Sequence, residues 1–170
     1  VCPGEIKVGD DYQKYLLYVW DVVSKNPIVK DNAGAISIEL ANEPVKLYDA
    51  QGKETAVAMH DFFQPIVDKI RANGFTGVIW VPGTGWQANY RGYASHPIEG
   101  ENIGYAVHDY VGWYGADDNN YDAQKYIQSF TEAVPVVMTN PVIITEVDWS
   151  PEKEGTGHYN EHGEYVKSNW

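Results

Sequence analysis

Apolar and polar positions first define three helical segments along the chain. Segment 10–27, DDYQKYLLYVWDVVSKNP, predicts a helix that Asp10 or Asp11 caps and that ends at Asn26-Pro27. Segment 122–134 predicts a helix capped by Asp122. The face predicted to be apolar in the first helix comprises Tyr12, Tyr15, Leu16, Val19, Val22 and Val23.

The remaining helical segment, 54–74, contains a proline. Its core positions are predicted as Ala56, Met59, Phe63, Ile66 and Ile70. Gly74 is expected at the C′ position, where a left-handed residue ends many helices. Because Pro65 lacks an N–H group and crowds the preceding turn, we expect a kink or break near Asp61.

Four short runs alternate with these helices and are apolar on both faces. They are AISIELANEP, GVIWVPGTGW, IGYAVHDYVGWYG and PVIITEVDWSP. Strands covered on both sides and separated by helices are typical of parallel βαβ units, so the predicted fold class is α/β. Residues 1–170 are predicted as one domain, with a helix as the one element before Ala35 and a long loop after the fourth strand.

Two of the four strands end at a glutamate, Glu43 and Glu146. Parallel strands share their carboxyl edge, so both side chains are expected on the same face, whether the sheet is open or closed into a barrel. Either glutamate alone is typical of a loop charge or a helix cap. Two facing carboxyl groups are typical of glycoside hydrolysis, in which one donates a proton and the other attacks the sugar or activates water.

The segments ELANEP, VHDY and IITEVDW occur in this order on successive strands. Together they resemble glycoside hydrolase family 5, retaining cellulases, mannanases and related enzymes with a TIM-type (β/α)8 barrel. The resemblance implies that Glu43 is the acid/base, that Glu146 is the nucleophile and that Asn42 holds the sugar 2-hydroxyl. It also implies that Tyr110 hydrogen-bonds the nucleophile and that His108 lines the acid/base side.

Aromatic side chains follow several of the predicted strands and offer flat faces for a sugar ring. Trp86 and Trp149 are the first candidates for substrate binding because their neighbours are polar or glycine. The other candidates for substrate binding are Trp113 and Tyr114 after the third strand, and Tyr90 in a connection that could wall the cleft. For each one, core packing is the alternative reading.

Composition narrows the class of ligand. The chain has 12 Lys and Arg against 24 Asp and Glu, a net charge of −12, so neither nucleic acid nor an anionic membrane is an expected partner. The single cysteine, Cys2, allows no internal disulfide. No cofactor is expected. His158 and His162 have a spacing that would suit a metal on a helix, but the glycines around them predict a loop, and the glutamate of a zincin motif is missing. The acidic segment 115–120 lacks the spacing of an EF-hand.

Four strands are only about half of a barrel, which needs eight strands and roughly 250 residues. By the resemblance they correspond to the fourth to seventh strands, so the rest of the barrel is an expected partner, from the same parent enzyme or another chain. The isolated chain is expected to have low activity, and a parent enzyme acting on a polymer is expected outside the cytoplasm.

The expected activity is hydrolysis of internal β-1,4 bonds in cellulose or a β-glucan. Alternatives are a β-mannanase or xyloglucanase of the same family, a non-catalytic carbohydrate-binding β/α unit, or a metal-dependent hydrolase.

Overall fold

A computed structural model of the protein describes residues 2–110, 113–115, 122–147, 157–159 and 162–167. The elements in chain order are β1 (Gly4–Lys7), α1 (Asp11–Lys25), α2 (Pro27–Asp31), β2 (Ile38–Glu39), β3 (Pro44–Tyr48), α3 (Ala58–Ala72), β4 (Ile79–Pro82), α4 (Gly92–Ser95), β5 (Ile103–Asp109), α5 (Ala123–Ala133), β6 (Val142–Val147), β7 (Gly157–Tyr159) and β8 (Tyr165–Lys167). Short 3₁₀ turns lie at Trp113–Gly115 and Pro135–Met138.

The centre of the fold is a four-stranded parallel sheet in the order β2-β4-β5-β6. The order in the sheet follows the order in the chain, except that β3, which pairs with β1, lies between β2 and β4. A helix lies in each connection between sheet neighbours. This is half of a TIM-type barrel, so the predicted fold class and the four predicted strands are confirmed. The core includes the fully buried side chains of Phe62, Phe63, Ile66, Val67 and Ile70 on α3, and of Ile79, Val81, Tyr105 and Val107 on the strands.

Helix α1 has the predicted bounds, with Asp10 as its cap, but a different face is buried. Tyr15 and Val22 are 58% and 53% exposed, whereas Gln13 and Leu16 are buried. The prediction of that face was therefore wrong at Tyr15 and Val22. The reason is tertiary: α1 packs beside α3, and the polar Gln13 side chain lies at that contact.

Helix α3 runs unbroken through Pro65, so the predicted break near Asp61 is wrong. Proline removes the N–H that would bond the Asp61 carbonyl. Gln13 replaces it, because its Nε2 donates to the carbonyl oxygens of Asp61, at 3.1 Å, and Phe62, at 2.7 Å. Gly74 follows the helix with φ of 88°, as predicted for C′.

Two small strand pairs were not predicted. Strand β1 precedes the first helix and pairs in parallel with β3, which follows Glu43 immediately. Strands β7 and β8 form an antiparallel pair where a long loop was expected. His158 lies in β7 and His162 in the turn after it, so this pair of histidines is not on a helix.

Strand β6 leaves apolar surface open at one edge of the sheet. Ile143, Ile144 and Val147 are 40%, 45% and 54% exposed. Covering such side chains contributes about 1.5–3 kcal/mol each when burial is complete, so this edge favours a further element packed against it. Within the described part of the chain, no helix has both the length and the apolar character needed to cross a bilayer.

Candidate active site

Pairing of β5 with β6 places His108 directly beside Glu146. These two residues are Cα partners in the ladder, and the register shifts between Val107 and His108. The Glu146 side chain is 38% exposed and the His108 side chain 1% exposed. A buried imidazole therefore lies against a carboxylate that opens to solvent at the carboxyl edge of the sheet.

Glu43 reaches the same edge from the segment between β2 and β3. Its φ is 53°, a left-handed conformation that an L-residue adopts only when its surroundings hold it there. The exposed thiol of Cys2 donates to the Glu43 carbonyl oxygen at 3.0 Å, which ties the start of the chain to this turn. The Glu43 side chain is 21% exposed, so it also faces the opening.

One imidazole nitrogen joins the two carboxylates. His108 Nδ1 lies 3.1 Å from Glu43 Oε1 and 3.5 Å from Glu146 Oε2. One carboxylate oxygen of each glutamate and one imidazole nitrogen are all within 4.8 Å of one another, which gives an upper limit for the separation of the two nearest oxygens. Tyr110 adds a further contact, since its hydroxyl donates to Glu146 Oε2 at 2.5 Å. The contacts implied for Tyr110 and His108 are thus present.

The same three residues offer one ligand atom each to a cation, one imidazole nitrogen and two carboxylate oxygens. The two carboxylates also match the arrangement that proton transfer and nucleophilic attack at one sugar carbon require. The Glu146 carboxylate is held from two sides, by the Tyr110 hydroxyl that donates to Oε2 and by the His108 ring beside it.

Comparison with known proteins shows the family to which the chain belongs. The family model described as cellulase, glycosyl hydrolase family 5, matches residues 8–169. The chain belongs to glycosyl hydrolase family 5.

The relatives that this chain matches are larger than the chain itself. An endoglucanase of Bacillus sp. (strain KSM-635) is 30% identical over 111 residues, which cover 65% of this chain and 10% of that protein. A beta-glucanase structure from Saccharophagus degradans has a TM-score of 0.70 and 23% identity, with 92% of this chain and 44% of that one covered. The endoglucanase catalytic domain of Thermobifida fusca has a TM-score of 0.54 and 22% identity, covering 79% of this chain and 41% of the other. The family 5 chain thus spans about a tenth of the curated relative and less than half of these structures.

Two of the predicted aromatic platforms are joined to neighbours of the family 5 carboxylates, and their role in substrate binding stays a prediction. Trp86 is 48% exposed. Its backbone N–H donates to the Pro44 carbonyl at 3.1 Å, so its loop is joined to the turn that carries Glu43. Trp113 is half-buried, with its ring centroid 5.1 Å from that of Tyr110. Asn42 is half-buried directly before Glu43. Trp149 lies outside the described residues, and its role stays a prediction.

Full burial of Tyr90 corrects its predicted role in substrate binding. Tyr114 is half-buried, and its role in substrate binding stays a prediction. Tyr90 is fully buried, and its hydroxyl donates to the Ala106 carbonyl inside the core. The Tyr114 hydroxyl donates to the Ala88 carbonyl at 3.1 Å, and its ring packs edge-on against Phe130 at 4.9 Å. Burial raises the pKa of both phenols, so both remain donors.

The motif VHDY also contains Asp109, whose side chain serves the scaffold. Asp109 is 1% exposed and accepts a hydrogen bond from the Tyr126 hydroxyl of α5. Burial raises the pKa of this carboxyl, although the bond from Tyr126 acts in the opposite direction. Asp109 thereby fastens the end of β5 to the helix behind it.

The sequence did not indicate two polar residues beneath the family 5 site, Gln87 and Glu39. Gln87 is fully buried and accepts from the Glu43 N–H at 2.8 Å, while its Nε2 donates to Glu39 Oε1 at 3.0 Å. A glutamine after a glycine-rich turn is usually exposed, so composition gave no signal. Glu39 lies three residues before Asn42 within an apolar run, and that oddity was the available clue.

Proposed function

We propose that this chain is the catalytic portion of an endo-β-1,4-glucanase that works by a retaining, two-glutamate mechanism. The observation that carries the proposal is the joining of Glu43 and Glu146 by His108, with their nearest oxygens within 4.8 Å. Retaining glycosidases place their carboxyl groups about 5–5.5 Å apart, whereas inverting enzymes leave about 6.5–9.5 Å for a water molecule. The short separation favours the retaining course.

In this mechanism Glu146 attacks the anomeric carbon while Glu43 donates its proton to the departing glycosidic oxygen. The bond from the Tyr110 hydroxyl keeps the attacking carboxylate aimed at that carbon. Glu43 then removes a proton from water, which hydrolyses the glycosyl-enzyme and returns both groups to their starting states. Asn42, beside Glu43, is assigned to the sugar 2-hydroxyl, and no cofactor takes part.

A β-glucan is the substrate class that the surroundings favour. Trp86 presents an open indole face next to the acid/base turn, which suits stacking against a pyranose. The neighbouring beta-glucanase of Saccharophagus degradans has been solved with cellotetraose. Mannan and xyloglucan are the alternatives within the family, and a polymeric substrate places the enzyme outside the cytoplasm.

The rest of the barrel is part of this proposal. The open apolar edge at β6 and the four-stranded sheet favour completion by further strands, from the parent protein or another chain. We use "complete enzyme" for this chain together with the strands that close its barrel.

The experiment is a substrate panel with the complete enzyme: carboxymethylcellulose, mixed-linkage glucan, galactomannan and xyloglucan, each with and without EDTA. We expect reducing ends to appear fastest from the first two, at rates that EDTA leaves unchanged. Faster release from galactomannan or xyloglucan would indicate a mannanase or a xyloglucanase of the same family. Binding without hydrolysis would support the non-catalytic unit, and loss of activity with EDTA would support the metal-dependent hydrolase.

A further inference from the structure

Gln87 occupies an unusual position for a loop residue. It follows β4 in the segment GTGWQAN, yet its side chain is fully buried. Trp86 and Gln87 have φ of 57° and 63°, so two successive L-residues are left-handed. Such conformations persist only where the surrounding structure holds them, and they cluster at functional sites.

The amide of Gln87 has three partners that also fix its orientation. Oε1 accepts from the Glu43 N–H at 2.8 Å, whereas Nε2 donates to the Ala106 carbonyl at 2.9 Å and to Glu39 Oε1 at 3.0 Å. Both partners of the nitrogen, a backbone carbonyl and a carboxylate oxygen, are acceptors, and the partner of the oxygen is a backbone N–H donor. The amide therefore fits one way round.

The main chain of Gln87 contacts His108, the residue whose imidazole lies against the Glu43 carboxylate. Its carbonyl oxygen accepts from the His108 N–H at 3.0 Å. One residue thus holds the backbone of Glu43 through its side chain and the backbone of His108 through its carbonyl. The carboxylate and imidazole of these two residues meet at 3.1 Å.

We propose that Gln87 is a positioning residue for the acid/base, an inference that rests on the proposed function. The amide supplies the acceptor that the strained Glu43 turn needs, and Glu39 and Ala106 hold that amide from below. Without it, Glu43 relaxes from its left-handed conformation and its carboxyl leaves the line between sugar oxygen and His108. Small displacements of this kind have large kinetic costs, because proton transfer depends on near-contact geometry.

The test compares Gln87→Leu and Gln87→Asn with Gln13→Leu in the complete enzyme. Gln13 is a matched control: it is also a buried glutamine, accepts from the Gly9 N–H, and donates to two backbone carbonyls remote in the chain. Its bonds join α1 to α3, away from the carboxylates. Substitution at Gln13 therefore reports the cost of losing a buried amide without touching the acid/base.

The readout is the dependence of rate on the leaving group. Phenyl β-cellobioside needs protonation of its leaving oxygen, whereas 2,4-dinitrophenyl β-cellobioside does not. For both Gln87 variants we expect kcat/KM on the phenyl substrate to fall by about 100-fold, with a loss of only a few fold on the dinitrophenyl substrate. Added azide is expected to raise kcat on the dinitrophenyl substrate, because it attacks the glycosyl-enzyme without needing a base. The Gln13 variant is expected to lose equally on both substrates and to ignore azide.

Equal losses on both substrates for the Gln87 variants, with no response to azide, would overturn the proposal. Amide hydrogen exchange gives a second readout, which reports on the Glu43 N–H whether or not the enzyme is active. It can be measured in Gln87→Asn if Gln87→Leu fails to fold. In Gln87→Asn we expect faster exchange at the Glu43 N–H, with Gln13→Leu unchanged there, and unchanged exchange in both would also overturn it. An unmodified enzyme inactive on both substrates would contradict the proposed function, while the exchange measurement would still decide the role of Gln87.

Discussion

Replacing Glu146 by glutamine is expected to lower kcat on cellotetraose by about 10³-fold or more, as loss of a covalent nucleophile does. Glutamine keeps the size of the side chain and an oxygen to accept the bond that Tyr110 donates at 2.5 Å. The amide cannot attack the anomeric carbon, so chemistry stops while the cleft keeps its shape. Chromatography of products from the complete enzyme measures the rate, and calorimetry with cellotetraose measures the binding.

The control for this change is Glu132→Gln on the exposed face of α5, which removes a carboxylate remote in the structure from the site. We expect its kcat to match that of the unmodified enzyme. A Glu146→Gln enzyme that keeps about a tenth or more of the original kcat would contradict the role of Glu146, because the residual rate would exceed what nucleophile removal leaves. For Glu146→Gln we therefore expect unchanged binding of cellotetraose together with lost turnover.

Replacing Glu43 by alanine is expected to slow hydrolysis of phenyl β-cellobioside by about 10²–10⁴-fold, the usual contribution of general acid–base catalysis. Glu43 lies 3.1 Å from His108 Nδ1 and faces the same opening as Glu146. Formation of the glycosyl-enzyme from the dinitrophenyl substrate needs no acid and is expected to stay fast. Its breakdown still needs a base, so a burst of dinitrophenol followed by slow turnover is expected in stopped-flow traces.

Azide distinguishes loss of the acid/base group from general damage to the fold. It is expected to restore steady-state turnover of the Glu43→Ala enzyme and to give the β-cellobiosyl azide as product. Equal loss on both substrates without a burst would instead show that the substitution disturbed the site as a whole. The Glu132→Gln enzyme again serves as the control and is expected to show neither a burst nor a response to azide.

The strands that carry the site could be predicted because each is apolar on both faces and ends abruptly in polar residues. Parallel pairing then brings Glu43, His108 and Glu146 to one edge, as the register of His108 beside Glu146 shows. Strands β1 and β3 could not be predicted, since each is short and its pairing joins segments some 40 residues apart, Glu5 to Lys46 for example. Local pattern carries no information on such a contact.

Burial of individual aromatic and amide side chains was also beyond the sequence. Tyr90 and Trp86 lie in the same connection, yet one is fully buried and the other 48% exposed. Gln87 lies between them and is buried because a carbonyl, a carboxylate and an N–H converge on its amide. These partners come from two segments remote from each other in the chain, one with Glu39 and Glu43 and the other with Ala106, so the need for a glutamine becomes visible only in the folded chain.

The buried face of α1 also could not be predicted from the sequence pattern alone. A period of 3.6 residues predicted the extent of α1 correctly, but Gln13 belongs to its buried side because Pro65 leaves the Asp61 carbonyl without a helical partner. A polar residue can thus occupy an interface when it satisfies a backbone group that the neighbouring helix cannot. Hydropathy alone assigns such a residue to solvent.

The anomeric configuration of the first product tests directly whether Glu146 is a covalent nucleophile. Proton NMR of the complete enzyme acting on cellotetraose shows which anomer appears before mutarotation. Because an oxygen of Glu43 and an oxygen of Glu146 lie within 4.8 Å of each other, we expect the β-anomer to appear first, through a glycosyl-enzyme on Glu146. First appearance of the α-anomer would mean direct attack by water and would contradict the assignment of Glu146 as nucleophile.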